Sequence, residues 1–79
     1  MSAHTKRKLT ARLPDGTWAT RTTHRTYTHV VAVQDEAGWG AIAWAGTQLL
    51  AERRANEVRR VARVARWQDV RVLPVESAA

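Results

Sequence analysis

Hydrophobic and polar positions change period along the chain, and the changes mark out its elements. Leu9, Ala11 and Leu13 alternate with Thr10 and Arg12, the period of a half-buried strand. Pro14-Asp15-Gly16 interrupts it: proline presets φ, and glycine supplies the left-handed residue of a bulged hairpin. The return strand is expected over 17–21. Residues 20–28, TRTTHRTYT, are threonine-dense with no apolar residue before Tyr27, which predicts an edge strand or a bend. Val30-Val31-Ala32-Val33 is continuously apolar, so a central strand buried on both faces is expected. Residues 34–38 are a polar turn.

The longest pattern is helical. In residues 47–67, TQLLAERRANEVRRVARVARW, Leu50, Ala51, Ala55, Val58, Val61, Ala62 and Ala65 fall within an arc of about 140°, the width of a core-facing stripe. Arg59, Arg63 and Arg66 stack on the opposite face, and Arg53 and Arg60 extend it. Thr47 is a natural N-cap behind Gly46. Arg54 lies inside the apolar arc, so it must snorkel past the sheet edge or pair with Glu57, or else the helix is rolled and Arg54 marks its rim.

Residues 39–45 fit two readings. Extending the helix back through them would put Ile42 about 280° and Trp44 about 120° round from Leu50, scattering the large residues. Read as a strand, Ile42 and Trp44 share a face that suits packing under the helix. Strand is preferred. After the helix, residues 70–73 read as a last strand, stopped by Pro74, which cannot donate to a ladder. The expected fold is α+β, ordered β-β-β-β-α-β: a mostly antiparallel four- to five-stranded sheet with one long helix on one face. Parallel strands on either side of the helix would make a right-handed crossover. Residues 8–75 form a single domain, 1–7 a flexible basic arm and 76–79 a disordered tail.

Composition narrows the setting. The absence of cysteine excludes disulfides and thiolate metal sites. No apolar run approaches the roughly 20 residues of a membrane span, and the basic start lacks the apolar stretch of a leader. A soluble cytoplasmic protein with no membrane partner is expected. Eleven of the thirteen basic residues are arginine, Ala and Val dominate the apolar set, and Phe is absent, a bias that points to a GC-rich genome. The net charge of +6 is uneven: residues 1–30 carry +5 and residues 31–79 only +1. Such charge attracts polyanions or acidic protein surfaces.

Catalytic parts are missing from the pattern. His24 and His29, five apart on extended chain, point to opposite faces, and His4 lies in the arm. The carboxylates fall mainly in turns or on the outside of the helix. No activated serine and no phosphate-cradling glycine loop occurs. No enzyme activity, metal or cofactor is expected. The remaining candidates bind. Lys6, Arg7 and Lys8 in the arm, Arg21 and Arg25, and the helix face of Arg59, Arg63 and Arg66 could hold phosphates. Tyr27 and His29, read as sharing a face with Val31 and Val33, could form the wet end of a core face or part of a recognition patch. Of four tryptophans, Trp18 and Trp44 are read as core. Trp39 after the turn and Trp67, near Leu49 on the helical wheel, are candidate partner anchors unless the final strand covers Trp67.

The strings Leu13-Pro14-Asp15-Gly16-Thr17, Ala19-Thr20-Arg21-Thr22 and Arg25-Thr26-Tyr27-Thr28-His29-Val30-Val31, with Trp44-Ala45-Gly46-Thr47 and the terminal 70–75 strand, resemble small proteins of actinobacterial phages and integrated elements. The resemblance spans most of residues 9–75 and transfers no site residue. It implies a context, an accessory phage protein in the cytoplasm of a bacterial host. Two functions follow as expectations: a nucleic-acid-binding module, or an interaction protein that docks on a host protein and modulates or inhibits it. A scaffolding homodimer is a third reading.

Overall fold

A computed structural model of the chain describes residues 6–78. The order is β1 (Arg7–Arg12), β2 (Trp18–Thr23), β3 (His29–Asp35), β4 (Gly38–Ala45), α1 (Gln48–Ala65), β5 (Asp69–Pro74) and a short β6 (Ser77–Ala78). This is the expected α+β arrangement, and residues 38–45 are strand, not helix. The strands divide between two three-stranded sheets, β2-β1-β6 and β4-β3-β5. β4 and β5 both run antiparallel to β3, so they are parallel to each other, with α1 connecting them across the sheet.

The β1–β2 hairpin follows the turn chemistry of its sequence. Gly16 takes φ +89°, the left-handed conformation that glycine adopts without steric cost. Asp15 accepts from the Thr17 backbone N–H at 3.0 Å and from its hydroxyl at 2.6 Å. These bonds, the Thr17 hydroxyl first, hold the Asp15 carboxyl below its ordinary pKa. Gly38, at φ +119°, opens β4.

β3 is the central strand. Val30, Val31 and Ala32 are fully buried, because each face is covered. On one face Val31 and Val33 pack with Ala43, Ala45, Ala51, Ala55, Val58 and Val70 beneath α1. On the other, Val30 and Ala32 point away from the helix, and the hairpin, with Leu9, Ala11 and Leu13 buried, covers them.

Here the strand faces differ from expectation. Val30 pairs with Trp44 and Val31 with Ala43, while Ala32 pairs with Ala41, so Ile42 is an extra, bulged residue. The small Ala43 and Ala45 lie under the helix, and Trp44 faces away. Alanines on the strand opposite Ala51 and Ala55 let the helix approach the sheet, a fit that Trp44 would block. The bulge leaves Ile42 43 % exposed.

The helix is rolled relative to the sequence-derived arc. Ala51, Ala55 and Val58 are its buried residues, whereas Leu50 and Val61 are about half exposed and Ala65 is exposed. Arg54 accordingly lies outside the core, 3.6 Å from Glu57. Thr47 caps the N-terminus, its hydroxyl accepting from the Leu50 N–H at 3.1 Å. The C-terminus carries no glycine; Arg66 takes the left-handed position at φ 61°. Trp67 then turns back, its N–H bonded to the Ala62 carbonyl. Trp67 is half-buried against the core beneath α1, a helix length away from Leu49 (60 % exposed). Neighbours on the wheel are not neighbours in space.

The chain ends also differ. The arm expected over 1–7 lies outside the described residues as far as residue 5, but Arg7 already belongs to β1. The tail expected over 76–79 is engaged through Ala78. The Glu76 N–H donates to the Thr10 carbonyl, and Ser77 and Ala78 pair with Thr10 and Leu9.

Candidate nucleic-acid interface

The end of the sheet where β3 begins and β4 finishes gathers charge and aromatic surface. The 24–28 segment bends there and is pinned by the Thr28 N–H bonding to the Ala45 carbonyl at 2.9 Å. Tyr27 is thereby held against Trp44, ring centroids 6.3 Å apart and tilted by 54°. The Arg21 guanidinium, reaching from β2, lies 5.2 Å above the Tyr27 ring. Helix α1 starts beside them, because Gly46 closes β4 and Thr47 caps the first turn. Its outer flank brings Arg53 and Arg54 to the same place. The result is a groove of about 580 Å³ lined by Arg25, Tyr27, Trp44, Leu50, Arg53, Arg54 and Glu57, among others.

Arg25 is carried on a loop and Arg53 on a helix, so the two cations converge from separate elements. Glu57 is the acidic residue of the groove. Its bridge to Arg54 joins two well-exposed side chains, which makes it weak, about 0–1 kcal/mol. With three arginines to one carboxylate the groove is net cationic, and a predominantly positive cleft with low-dielectric walls concentrates anions. Arginine forks can each grip two oxygens of a phosphate, and the tilted Tyr27–Trp44 pair supplies apolar and π surface beside them.

The other expected residues divide among different places. Lys6, Arg7 and Lys8 are exposed at the start of β1. Arg59 is turned onto the sheet, donating to the Asn56 side chain at 3.1 Å and to the Val70 carbonyl at 3.2 Å. It covers the edge strand β5 and shares a cleft with Glu52 and Arg71. Arg63 is exposed in the last turn of the helix. Arg66 shares a surface cleft with Asp35 and Glu36. The stripe Arg59/Arg63/Arg66 therefore runs along the β5 side and the far end of α1, not into the groove that Arg25 lines and whose Tyr27 lies under Arg21. The roll of the helix is the reason.

His29 begins β3 on the Val31 side of the sheet, and its Nδ1 shares a hydrogen bond of 2.8 Å with the Thr28 hydroxyl. Tyr27 precedes the strand and meets Trp44 on the Val30 side, so the alternation expected to join Tyr27 and His29 on one face does not extend that far. Trp39 and Trp67 line a separate cavity of about 250 Å³ at the opposite end of the sheet. Arg71 lies 5.5 Å over the Trp39 ring. Arg53, Arg54 and Trp44 are the groove residues that sequence reasoning missed. The signal for the first two was Arg54 itself, whose place in the apolar arc left a rolled helix as one of its explanations, beside pairing with Glu57, and the structure shows both.

Trp18 corrects another expectation. Expected in the core, it is instead 49 % exposed, on the outward face of the hairpin opposite Arg12. Its position follows from the pairing register, since Leu9 and Ala11, paired with Arg21 and Ala19, turn inward. Among the described residues no three His, Cys, Asp or Glu side chains gather where they could hold a metal ion. No helix of these residues is long and apolar enough to cross a membrane. Comparison with family models, with curated proteins and with solved structures finds no match to this chain.

Proposed function

We propose that this protein is a non-enzymatic nucleic-acid-binding module that grips phosphates through the groove around Tyr27 and Trp44. The observation that carries the reading is the convergence of Arg25 and Arg53, with Arg21 over Tyr27, on one groove containing a single carboxylate already paired with Arg54. An accessory role in a phage or integrated element, in the cytoplasm of a bacterial host, is the setting we propose on the sequence resemblance.

The reading has a quantitative test. Three phosphate contacts, one each from Arg21, Arg25 and Arg53, predict that log affinity falls with log salt at a slope of about −2.7 on duplex and about −2.1 on single strands. Between about 50 and 200 mM salt that is a loss of roughly 40-fold or 20-fold. Arg25→Ala together with Arg53→Ala should remove about two-thirds of the slope, whereas Arg59→Ala plus Arg63→Ala should change it less. Fluorescence anisotropy titrations with labelled oligonucleotides read both. Binding that ignores salt, or a slope untouched by the groove double variant, would sink the proposal.

A second reading is favoured by one observation. Leu49, Leu50, Val61 and Val64 leave an unusual amount of apolar surface on α1, with Val64 86 % exposed. Such patches mark protein contacts, and a host protein held there would be lost from a native pull-down on Val61→Asp plus Val64→Asp.

A further inference from the structure

The outward face of the β1–β2 hairpin plays no part in the groove, yet its make-up is distinctive. Alternation puts Lys8, Thr10 and Arg12 of β1 and Trp18, Thr20 and Thr22 of β2 on this face, in the cross-strand pairs Lys8–Thr22, Thr10–Thr20 and Arg12–Trp18. All six side chains are cationic, hydroxylated or aromatic, and none is acidic. Glu76, which accepts from the Arg12 backbone N–H at 3.3 Å, approaches from the β6 side, away from Trp18. The Arg12 guanidinium sits 4.8 Å over the Trp18 ring, yet Trp18 remains 49 % exposed. A large indole set outward on the edge strand of a small sheet gains little for the core.

We propose that this face is a stacking platform for an unpaired base, so that the nucleic acid held by the protein is single-stranded. The inference rests on the nucleic-acid reading above and deepens it. An exposed indole offers a π surface that any base can cover, but only a base free of its duplex neighbours can reach it. Arg12, already held over the ring, is placed to meet the adjoining phosphate, a fourth contact that steepens the single-strand slope to about −2.8, and the threonine hydroxyls can bond phosphate or sugar oxygens. β2 joins this platform to the groove. Trp18 faces outward on it and Arg21, three residues on, faces inward beside Tyr27, about 10 Å away along the strand. Among the described residues β2 is also an edge strand of its sheet. A single strand crossing that edge can stack on Trp18 and present its next phosphates to Arg21 and Arg25, which a stiff duplex cannot do.

The test compares oligothymidylate with a duplex carrying the same number of phosphates, across one salt series from about 50 to 200 mM, on the wild-type chain and on Trp18→Ala, Trp18→Phe and Arg25→Ala plus Arg53→Ala. The wild type should prefer the single strand. Trp18→Ala should weaken single-strand binding about five- to 150-fold, the range of one stacked base, with duplex binding and the salt slope unchanged; Trp18→Phe should recover most of the loss. The groove double variant should lower the slope on both probes. Equal affinity for the two probes, with Trp18→Ala silent, overturns the platform and leaves the groove reading intact. Equal weakening on both probes by Trp18→Ala also overturns it, since stacking on an unpaired base cannot act on duplex. No binding of either probe overturns the platform together with the function it rests on.

Discussion

Replacing Ala55 by leucine should destabilise the protein sharply, while the same change at Ala65 should hardly matter. Ala55 is fully buried and belongs to the cluster in which Ala51, Ala43 and Ala45 bring α1 close to the sheet. Three added carbons have no room there unless the helix lifts, and overpacking of a filled core costs about 1–3 kcal/mol. At the usual stability per residue, a 79-residue chain holds about 4–12 kcal/mol in all. A loss of about 2 kcal/mol would lower Tm by roughly 8–16 °C in a domain of this size. Ala65, ten residues on and inside the apolar arc drawn from the sequence, is exposed; Ala65→Leu should stay within about 0.5 kcal/mol of wild type. Urea and thermal unfolding followed by far-UV circular dichroism measure both. Equal costs at the two positions would refute the roll of the helix, and with it the account of why Arg53 and Arg54 reach the groove. A silent Ala55→Leu would refute the close helix–sheet contact.

Two smaller predictions follow from the caps and turns. Arg66 holds a left-handed conformation at φ 61°, which costs a side-chain-bearing residue roughly 1–2 kcal/mol relative to glycine before glycine's extra unfolded-state entropy is offset; Arg66→Gly should therefore raise stability by about 0.5–1 kcal/mol in urea titrations, and a destabilised variant would argue against this helix end. Asp15 has its pKa lowered in the folded chain by the Thr17 hydroxyl and N–H, so its contribution is present above the ordinary aspartate pKa and is lost as pH falls through the lower folded value. The stability difference between wild type and Asp15→Ala should shrink across that acidic window, and a difference independent of pH there would remove the carboxylate from the turn's support.

Much of the fold was legible because its signals were local. The Pro14-Asp15-Gly16 turn, the buried Val30–Val33 run, the Thr47 cap and the stop at Pro74 each rest on backbone chemistry that neighbouring residues determine. The choice of strand for residues 39–45 was legible too, since a helix would have scattered Ile42 and Trp44. What the sequence hid were the quantities that depend on a second element. A bulge at Ile42 reverses which face of a strand is which, and no residue in β4 announces it. Trp18 looked like core because it is large, but its partner across the hairpin is Arg12, and the register that pairs them also fixes Leu9 and Ala11 as the inward residues.

The same dependence decides the candidate site. An α-helix with arginines on most of its circumference cannot reveal from its own sequence which of them share a groove, since a roll of a few tens of degrees exchanges one flank for the other. Here the alanines settle it. Ala51 and Ala55 seat the helix over Ala43 and Ala45, which turns Arg59 onto the β5 edge, where it is occupied by Asn56 and the Val70 carbonyl. That same seating turns Arg53 and Arg54 towards Arg25, Tyr27 and Trp44. The small residues that let the helix lie close are thus also the residues that select the cations facing the groove. Any change that lifts or rolls the helix should alter charge presentation before it unfolds the chain.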